Sequence, residues 1–202
     1  VLSFGELKSG ARTYIAFSGG LDVPIAMGSR STYTRGEIGG YFGRQLHEGD
    51  KLKVFRKTGI DGGSFSRRLN PLYIPEYSKE KQVRVVLGPQ KEYFSERGIE
   101  TFLSSEYRCT AQIDRMGYRL AGPEVESISG TDIVSDGIAF GAIQITNGGE
   151  PIIMMSDRQT VGGYAKIACV VWEDLSKIAQ SKSGDKIRFK GVGIEEVQRA
   201  RL

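Results

Sequence analysis

The chain has 202 residues, enough for one large domain or two small ones with a substantial buried core. Its apolar fraction of 39% and charged fraction of 26% are typical of a folded protein in water. The net charge is +4, and no stripe of basic residues interleaved with aromatic ones is present, so we expect no nucleic-acid partner. No apolar run is long enough to cross a bilayer and no signal segment is recognisable, so we expect no membrane partner and a cytoplasmic location.

Alternation of apolar and polar residues, the pattern of half-buried strands, dominates the chain from its start. It predicts strands over residues 1–4, 11–18, 51–55, 82–87, 107–113, 116–120, 143–146, 152–155, 166–171 and 186–189. Helical spacing is confined to residues 172–179, residues 194–202 and a short stretch between 90 and 103. Many strands and 27 glycines favour a mainly β fold with a closed or nearly closed barrel and few short helices.

Two breaks in the alternation call for an explanation. After residue 113 and again after residue 140, the apolar places shift by one position. A shift of one residue turns side chains to the opposite face unless a bulge absorbs it. We therefore expect bulges or kinks at Asp114-Arg115 and at Gly141-Ala142. The Asn147-Gly148-Gly149 triplet instead predicts a hairpin turn between the strands at 143–146 and 152–155.

Composition shifts suggest a division of the chain into three parts. Residues 1–56 read as the end of a first β unit whose start precedes Val1. Residues 57–81 are rich in Gly, Ser and Pro but contain apolar residues, which is typical of a packed linker. Residues 82–202 read as a second β-barrel.

A search for catalytic or metal-binding motifs finds mainly absences. The single histidine, His47, excludes a multi-histidine metal centre and reads as a solvated turn residue, so we expect no metal. No phosphate-binding loop of known spacing is present, and the glycine-rich residues 36–43 lack the lysine that normally follows such a loop. Cys109 and Cys169 lie in apolar-patterned stretches, as small buried residues do.

Three dense polar segments stand out, at residues 28–36, 114–119 and 156–164. Each contains at least one arginine, a side chain that binds carboxylates or phosphates with two parallel hydrogen bonds. The arginines could instead bond backbone carbonyls at the barrel ends and brace turns. Residue types alone leave these two interpretations equally open.

The same segments carry a family resemblance. The matching motifs are residues 28–36 with Gly39-Gly40, Gly43-Arg44 and Gly49-Asp50, Gly88-Pro89-Gln90 with Tyr93-Phe94, residues 114–120, Ser135-Asp136-Gly137, residues 141–144, and residues 157–160 with Gly162-Gly163-Tyr164. In these motifs the chain resembles the allophanate hydrolase subunit 2 family. That family is also known as the Kip antagonist family, as the family of the 5-oxoprolinase C subunit, and as the biotin-dependent carboxyltransferase family.

The resemblance implies a cyclophilin-like β-barrel architecture with two such units in the full protein. It also implies a Kip inhibitor-like partner (the B subunit of 5-oxoprolinase), a large A subunit and a small amide substrate. No cofactor is expected to bind stably. ATP would be a co-substrate of the complex, and carboxybiotin would be one under an alternative function. The family's opening glycine-rich motif is absent here, so a site that uses it would be incomplete.

The leading hypothesis is a subunit of an ATP-dependent 5-oxoprolinase, inactive alone, that helps bind and activate 5-oxoproline for ring opening to glutamate. One alternative is the carboxyltransferase component of a biotin-dependent urea carboxylase and allophanate hydrolase system. Another is a regulatory antagonist of a kinase inhibitor. The sequence does not separate these three.

The candidate site residues are polar side chains from the three dense segments and one strand. Asp114 and Asp157 are the catalytic candidates, which would orient the arginines or accept a proton. The substrate-binding candidates are Arg30, Ser31, Thr32, Arg115, Gln144, Arg158, Gln159 and Thr160. The arginines would bind a carboxylate or phosphoryl group, and the hydroxyl and amide groups would bond the substrate amide.

Both cysteines are predicted to be reduced and unbridged, because a cytoplasmic compartment keeps thiols reduced. Thiol titration in denaturant without reductant should detect both of the 2 cysteines of each chain. A titration that finds no free thiol contradicts this expectation.

Overall fold

The computed structural model describes residues 1–55 and 67–199. The chain forms two compact units. The first, here called the barrel unit, comprises Val1–Arg12 and Pro75–Leu202, and the second, the loop unit, comprises Thr13–Ile74. These limits differ from the predicted boundaries, since residues 1–12 belong with the barrel and the change of unit falls at residue 74. Residues 57–66 of the predicted linker lie outside the described residues, and the three-part division stays a prediction.

The described residues of the barrel unit form nine strands and three α-helices. In chain order these are β1 (Glu80–Leu87), α1 (Glu96–Ser104), β2 (Glu106–Ile113), β3 (Gly117–Ala121), β4 (Asp132–Gly137), β5 (Ala142–Ile145), β6 (Pro151–Met154), β7 (Val161–Tyr164), β8 (Lys166–Val170), α2 (Leu175–Ala179), β9 (Lys186–Gly191) and α3 (Ile194–Arg199). Short 3-10 turns occupy Lys91–Tyr93 and Trp172–Asp174.

Seven of these strands close into a barrel in the order β1-β8-β5-β6-β3-β2-β9. Neighbours pair antiparallel except β1 and β9, which pair in parallel and close the ring. Strands β4 and β7 form a separate two-stranded sheet, here called the arm. The predicted mainly β class, with a barrel and few short helices, is confirmed.

The barrel core follows from the alternation in the sequence, because every second side chain of a strand points inward. The inward positions of β1, β2 and β9 are occupied by Val83, Val85, Tyr107 and Ile187, all fully buried. Helix α1 packs against β9, where the Phe102 ring stacks on Phe189 with ring centroids 4.5 Å apart. The core is therefore assembled from strands distant in sequence.

Several predicted elements are confirmed. The strands at 82–87, 166–171 and 186–189 correspond to β1, β8 and β9 within two residues. The predicted hairpin is the β5–β6 pair, and its turn contains Gly149 at φ +76°. Helical spacing at residues 172–179 corresponds to a 3-10 turn followed by α2.

The bulge or kink predicted at each break is a turn of the chain and not a bulge within a strand. The residues at Asp114-Arg115 form the turn that joins β2 to its antiparallel neighbour β3. Asp114 Oδ1 shapes this turn by accepting the N–H groups of Met116 and Gly117. At the second break, Gly141 adopts φ +87° and separates the arm strand β4 from the barrel strand β5. A turn shifts the alternation just as a bulge does, so the pattern alone did not distinguish them.

Helix α3 forms, but its apolar face is not buried as expected. Ile194 is 60% exposed, and Val197 is half-buried. The described residues of the barrel unit therefore cover this face only in part, although the spacing of the two residues is helical.

The loop unit has few regular elements in its described residues. It contains the single-residue bridges Leu21–Val54, Ala26–Ser29 and Tyr33–Ile38, and a 3-10 turn at Pro71–Tyr73. The strand predicted over 51–55 is reduced to the bridge at Val54, because a strand needs a continuous partner to persist. Gly40 and Gly43 are buried, whereas large apolar side chains such as Met27 and Phe42 are 95% and 81% exposed.

No helix among residues 1–55 and 67–199 is long and apolar enough to span a membrane.

Asp174 ties the first barrel strand to the segment before α2. Its carboxylate is buried, and it accepts hydrogen bonds from the Arg84 backbone N–H at 2.8 Å and from Arg84 Nε at 3.0 Å. Lys177 Nζ lies 2.9 Å from its second oxygen. Burial raises the pKa of the Asp174 carboxyl, but the bonds from Arg84 and Lys177 outweigh burial and lower that pKa to about 2. Asp174 is therefore charged in the folded protein.

Asp174→Asn is expected to lower the free energy of unfolding by about 2–3 kcal/mol, because it weakens several charge-assisted hydrogen bonds at once. Urea denaturation of the purified chain measures the effect. The control is Glu195→Gln. The Glu195 side chain is 82% exposed, and this substitution breaks its ion pair with Arg199. That variant should unfold within about 0.5 kcal/mol of wild type. Equal losses in both variants would contradict a structural role for Asp174.

The same carboxylate predicts an acid dependence of stability. The folded-state pKa of Asp174 lies below its unfolded value, so its contribution is complete above about pH 4. That contribution is lost as the pH falls from about 4 toward 2, because the unfolded chain then binds the proton more readily. Asp174→Asn should flatten the stability profile over this range and leave its slope unchanged near neutral pH. An unaltered profile would exclude Asp174 as the titrating group.

Candidate functional site

A buried lysine and an exposed carboxylate meet where the arm joins the barrel. Lys166, the first residue of β8, is 2% exposed, and its Nζ donates to Asp136 Oδ2 at 2.9 Å. Gln90 Nε2 donates to the same oxygen at 3.1 Å, and the Gly137 N–H donates to Asp136 Oδ1 at 2.7 Å. Gln90 is itself held by the Lys166 backbone N–H, which donates to its Oε1 at 3.2 Å. These bonds, the one from Lys166 above all, lower the pKa of the Asp136 carboxyl.

Two glutamine amides lie beside the second arm strand. Gln144 is buried on β5, and its Nε2 donates to the Tyr164 carbonyl at 3.2 Å. A Cβ at Gly162 would lie 3.3 Å from Gln144 Nε2 and 3.5 Å from Gln159 Nε2, so a glycine lets both amides approach β7 closely. Thr160 is exposed, and its carbonyl accepts a backbone N–H from the segment before β5. The structure therefore places the candidates Gln144 and Gln159 beside the same glycine, and their substrate-binding roles stay predictions.

Arg158 is bonded to backbone. Its Nε donates to the Ile138 carbonyl at 2.9 Å and its Nη1 to the Met155 carbonyl at 3.3 Å. The guanidinium lies 5.6 Å from the centre of the Phe140 ring, which meets Trp172 edge-on. These are the contacts expected of an arginine that braces a turn.

Arg115 and Asp157 are bonded to each other. Arg115 Nε and Nη2 donate to the two Asp157 oxygens at 2.7 and 2.8 Å, a bidentate pair. The Arg115 guanidinium thereby lowers the pKa of the Asp157 carboxyl. Asp157 is thus a carboxylate that orients an arginine, one of the two roles expected of it. Asp114 shapes the β2–β3 turn, and the catalytic roles of both aspartates stay predictions.

Arg30, Ser31 and Thr32 lie in the loop unit, whereas the other candidates belong to the barrel unit. Arg30 lies over the Phe55 ring, 5.2 Å from its centre, and the Ser31 N–H donates to a neighbouring serine hydroxyl. Thr32 Oγ1 accepts the Tyr41 N–H at 3.1 Å. A Cβ at Gly40 would lie 2.0 Å from Thr32 Oγ1, so the threonine packs directly on a glycine. Thr32 therefore helps to hold the local loop together.

Sequence reasoning did not include Gln90, Asp136 and Lys166 among the candidates. Two of them stood in motifs that carried the family resemblance, Gly88-Pro89-Gln90 and Ser135-Asp136-Gly137, and that signal could have identified them. Lys166 opens an apolar strand and resembles an ordinary solvent-facing residue. Its burial becomes visible only when the arm is placed against the barrel.

A cavity of about 520 Å³ also opens in the barrel unit, between α1 and the β5–β6 turn. Its lining includes Arg97, Glu124, Glu126 and Asn147, and none of the candidate residues. His47, as expected, is exposed in a turn, where its backbone N–H donates to Asp50 Oδ2. In the part of the chain that the structure describes, no three His, Cys, Asp or Glu side chains converge as a metal site would require.

Comparison with known proteins decides the family. Residues 1–191 match the family described as carboxyltransferase domain, subdomain A and B. The chain belongs to this carboxyltransferase family. The resemblance drawn from the sequence motifs is thereby confirmed.

Relatives of this carboxyltransferase-family chain carry two kinds of name. This chain is 34% identical over 200 residues to the C subunit of 5-oxoprolinase from Escherichia coli, a match that covers 99% of this chain and 62% of that protein. It is 35% identical over 210 residues to the urea amidolyase of Saccharomyces cerevisiae, covering 96% of this chain and 11% of that protein. The Kluyveromyces lactis urea carboxylase structure superimposes with a TM-score of 0.86 at 29% identity, covering 98% of this chain and 19% of that one. The chain thus spans less than two thirds of these relatives.

Arg158→Ala is expected to lower the free energy of unfolding by about 1–2 kcal/mol, because two carbonyls lose their donor. Arg30→Ala is the matched comparison, since an exposed arginine over a ring contributes about 0.5–1 kcal/mol. Urea denaturation of both variants tests the difference. Arg158→Lys should restore little, because a single ammonium does not reproduce the guanidinium geometry. If Arg158→Ala is as stable as wild type, the bracing role is wrong.

Proposed function

We propose that this chain is part of one subunit of an ATP-dependent 5-oxoprolinase, in which it helps bind 5-oxoproline for ring opening to glutamate. The observation that carries the proposal is the similarity, along 99% of the chain, to the C subunit of 5-oxoprolinase from Escherichia coli. A second protein of that name, from Haemophilus influenzae, is 31% identical over 201 residues. The enzyme is an amide-bond hydrolase made of several subunits, and it acts in the cytoplasm.

The geometry supports a role in binding a small amide. Around the arm, the Asp136 carboxylate is held by Lys166 and the Gln144 amide by the Tyr164 carbonyl, while the exposed Gln159 side chain lies beside Gly162. Such groups hydrogen-bond the N–H and carbonyl of an amide, and the fixed positions of Asp136 and Gln144 reduce the entropy lost on binding.

The described side chains provide no obvious nucleophile for the ring opening. Burial raises the pKa of the Cys109 thiol to about 11 and raises that of Cys169 as well, which disfavours the reactive thiolate. We therefore assign ATP use and bond cleavage to an assembly with the Kip inhibitor-like B subunit and the large A subunit. In that assembly ATP is a co-substrate.

A second candidate function is carboxyl transfer from carboxybiotin to urea. The observation that favours it is the similarity to urea amidolyases and to the Kluyveromyces lactis urea carboxylase structure. Urea and 5-oxoproline share an N–H beside a carbonyl, so one polar face is suited to either.

The test uses the complete gene product mixed with the B and A subunits. We expect ADP release that requires 5-oxoproline and all three proteins, with no substrate-dependent release by the complete gene product alone. In a parallel reaction, urea replaces 5-oxoproline, carboxybiotin is supplied as the carboxyl donor, and carboxylation of urea is measured.

Release of ADP by the gene product alone would show that it has its own nucleotide site. Carboxylation of urea without 5-oxoproline-dependent ATP turnover would replace the first function by the second. No turnover of either substrate in the full mixture contradicts both.

A further inference from the structure

The contact between Lys166 and Asp136 is unusual for a purely structural ion pair. The Lys166 side chain is 3% exposed, whereas that of Asp136 is 54% exposed. Removing an ammonium from water is costly, and a partner that stays in water offsets little of that cost. This ion pair therefore contributes little to the free energy of folding. Its main effect is to fix the position of the accessible carboxylate. A carboxylate held in place by such partners is pre-organised for ligand binding.

The Asp136 carboxylate is also oriented on both sides. One oxygen accepts from Lys166 and from Gln90, and the other accepts the Gly137 N–H. A carboxylate has about four acceptor positions, so the three donors leave room for one more. With its charge balanced by Lys166, that remaining position suits a neutral donor better than a second cation.

We propose that Asp136 binds the substrate by accepting a hydrogen bond from the N–H of a small amide, and that Lys166 and Gln90 are positioning residues for it. This inference rests on the proposed function and specifies its substrate contact. Both candidate substrates, the lactam of 5-oxoproline and urea, carry such an N–H. A hydrogen bond to a carboxylate is stronger than one to a neutral acceptor, which gives the site preference for amides with a free N–H.

The first experiment measures binding directly. The probes are 5-oxoproline, urea and N-methyl-5-oxoproline, added to the complete gene product assembled with its partner subunits and followed by calorimetry. Asp136→Asn should weaken binding of the first two probes by about 10- to 100-fold, the loss of one charge-assisted hydrogen bond. N-methyl-5-oxoproline should bind the wild type as weakly as 5-oxoproline binds Asp136→Asn. Asp136→Asn should not weaken the binding of the N-methylated probe further.

Asp132→Asn is the matched control. Asp132 lies on the same strand β4, is exposed, and accepts a hydrogen bond from Asn147 Nδ2 at 3.2 Å. Its substitution should leave the affinities unchanged. Because Asp136→Asn leaves the Lys166 ammonium buried without its carboxylate, the double variant Asp136→Asn with Lys166→Met is measured too. Removing both charges preserves folding better than removing one, and the double variant should show the same loss of binding.

A pH profile separates positioning from structural support. Lys166, the Gly137 N–H and Gln90 are the groups that lower the pKa of the Asp136 carboxyl. In Lys166→Met that carboxyl should protonate at a higher pH, so the acid loss of binding should move upward in pH. Gln90→Leu should shift it in the same direction by less. If Lys166 only supported the fold, Lys166→Met would lower the melting temperature without changing the pH at which binding is lost.

The outcomes distinguish this inference from the proposed function. Equal affinities in Asp136→Asn and Asp132→Asn, or equal binding of the N-methylated probe, overturn the assignment of Asp136. Absence of probe binding to the wild-type assembly overturns it as well. If the probes bind with the expected Asp136 dependence while the assembly turns over neither substrate, the proposed function fails and the binding contact stands. If neither Lys166→Met nor Gln90→Leu changes the pH at which binding is lost, Lys166 and Gln90 are not positioning residues.

Discussion

Closure of the barrel depends on the parallel pairing of β1 and β9, strands that are about a hundred residues apart in the chain. The pairing runs in register from Glu80 opposite Lys186 to Val85 opposite Gly191. Beside it, Lys81 Nζ and Asp185 Oδ2 lie 2.6 Å apart with both side chains nearly buried. A closed barrel has no exposed strand edge, so every other strand position is constrained once this pair forms. Breaking one partner of the buried ion pair would leave an uncompensated charge at the closing seam.

The candidate site is a consequence of that closure. In the ring, β8 lies between β1 and β5, and its first residue is Lys166. The chain leaving β1 therefore places Gln90 next to Lys166, and both reach Asp136 on the arm. Two barrel strands and the arm thus converge on one carboxylate. The position of that carboxylate is set by backbone pairing as much as by side chains.

The arginines and aspartates that looked most reactive in the sequence are mainly bonded to one another or to backbone. Arg115 is bonded to Asp157, and Arg158 bonds two carbonyls and stacks on Phe140. Side chains whose donors and acceptors are already used change partners at a cost, so they suit shaping better than ligand binding. Asp136 differs from them because its carboxylate is accessible and keeps a free acceptor position.

The amino-acid sequence by itself determined the strand-rich class, the hairpin at Gly149 and the family, because alternation and motifs are local properties of the chain. It did not distinguish the turn at Asp114 from a bulge, since both shift the alternation by one residue. The exposure of Ile194 and the burial of Lys166 were decided by tertiary structure. Whether a helix face is covered, or a strand-end lysine enclosed, depends on elements that arrive from distant parts of the chain. The meeting of Gln90, Asp136 and Lys166 has the same origin, because only the closed barrel brings β1, β8 and the arm to one place.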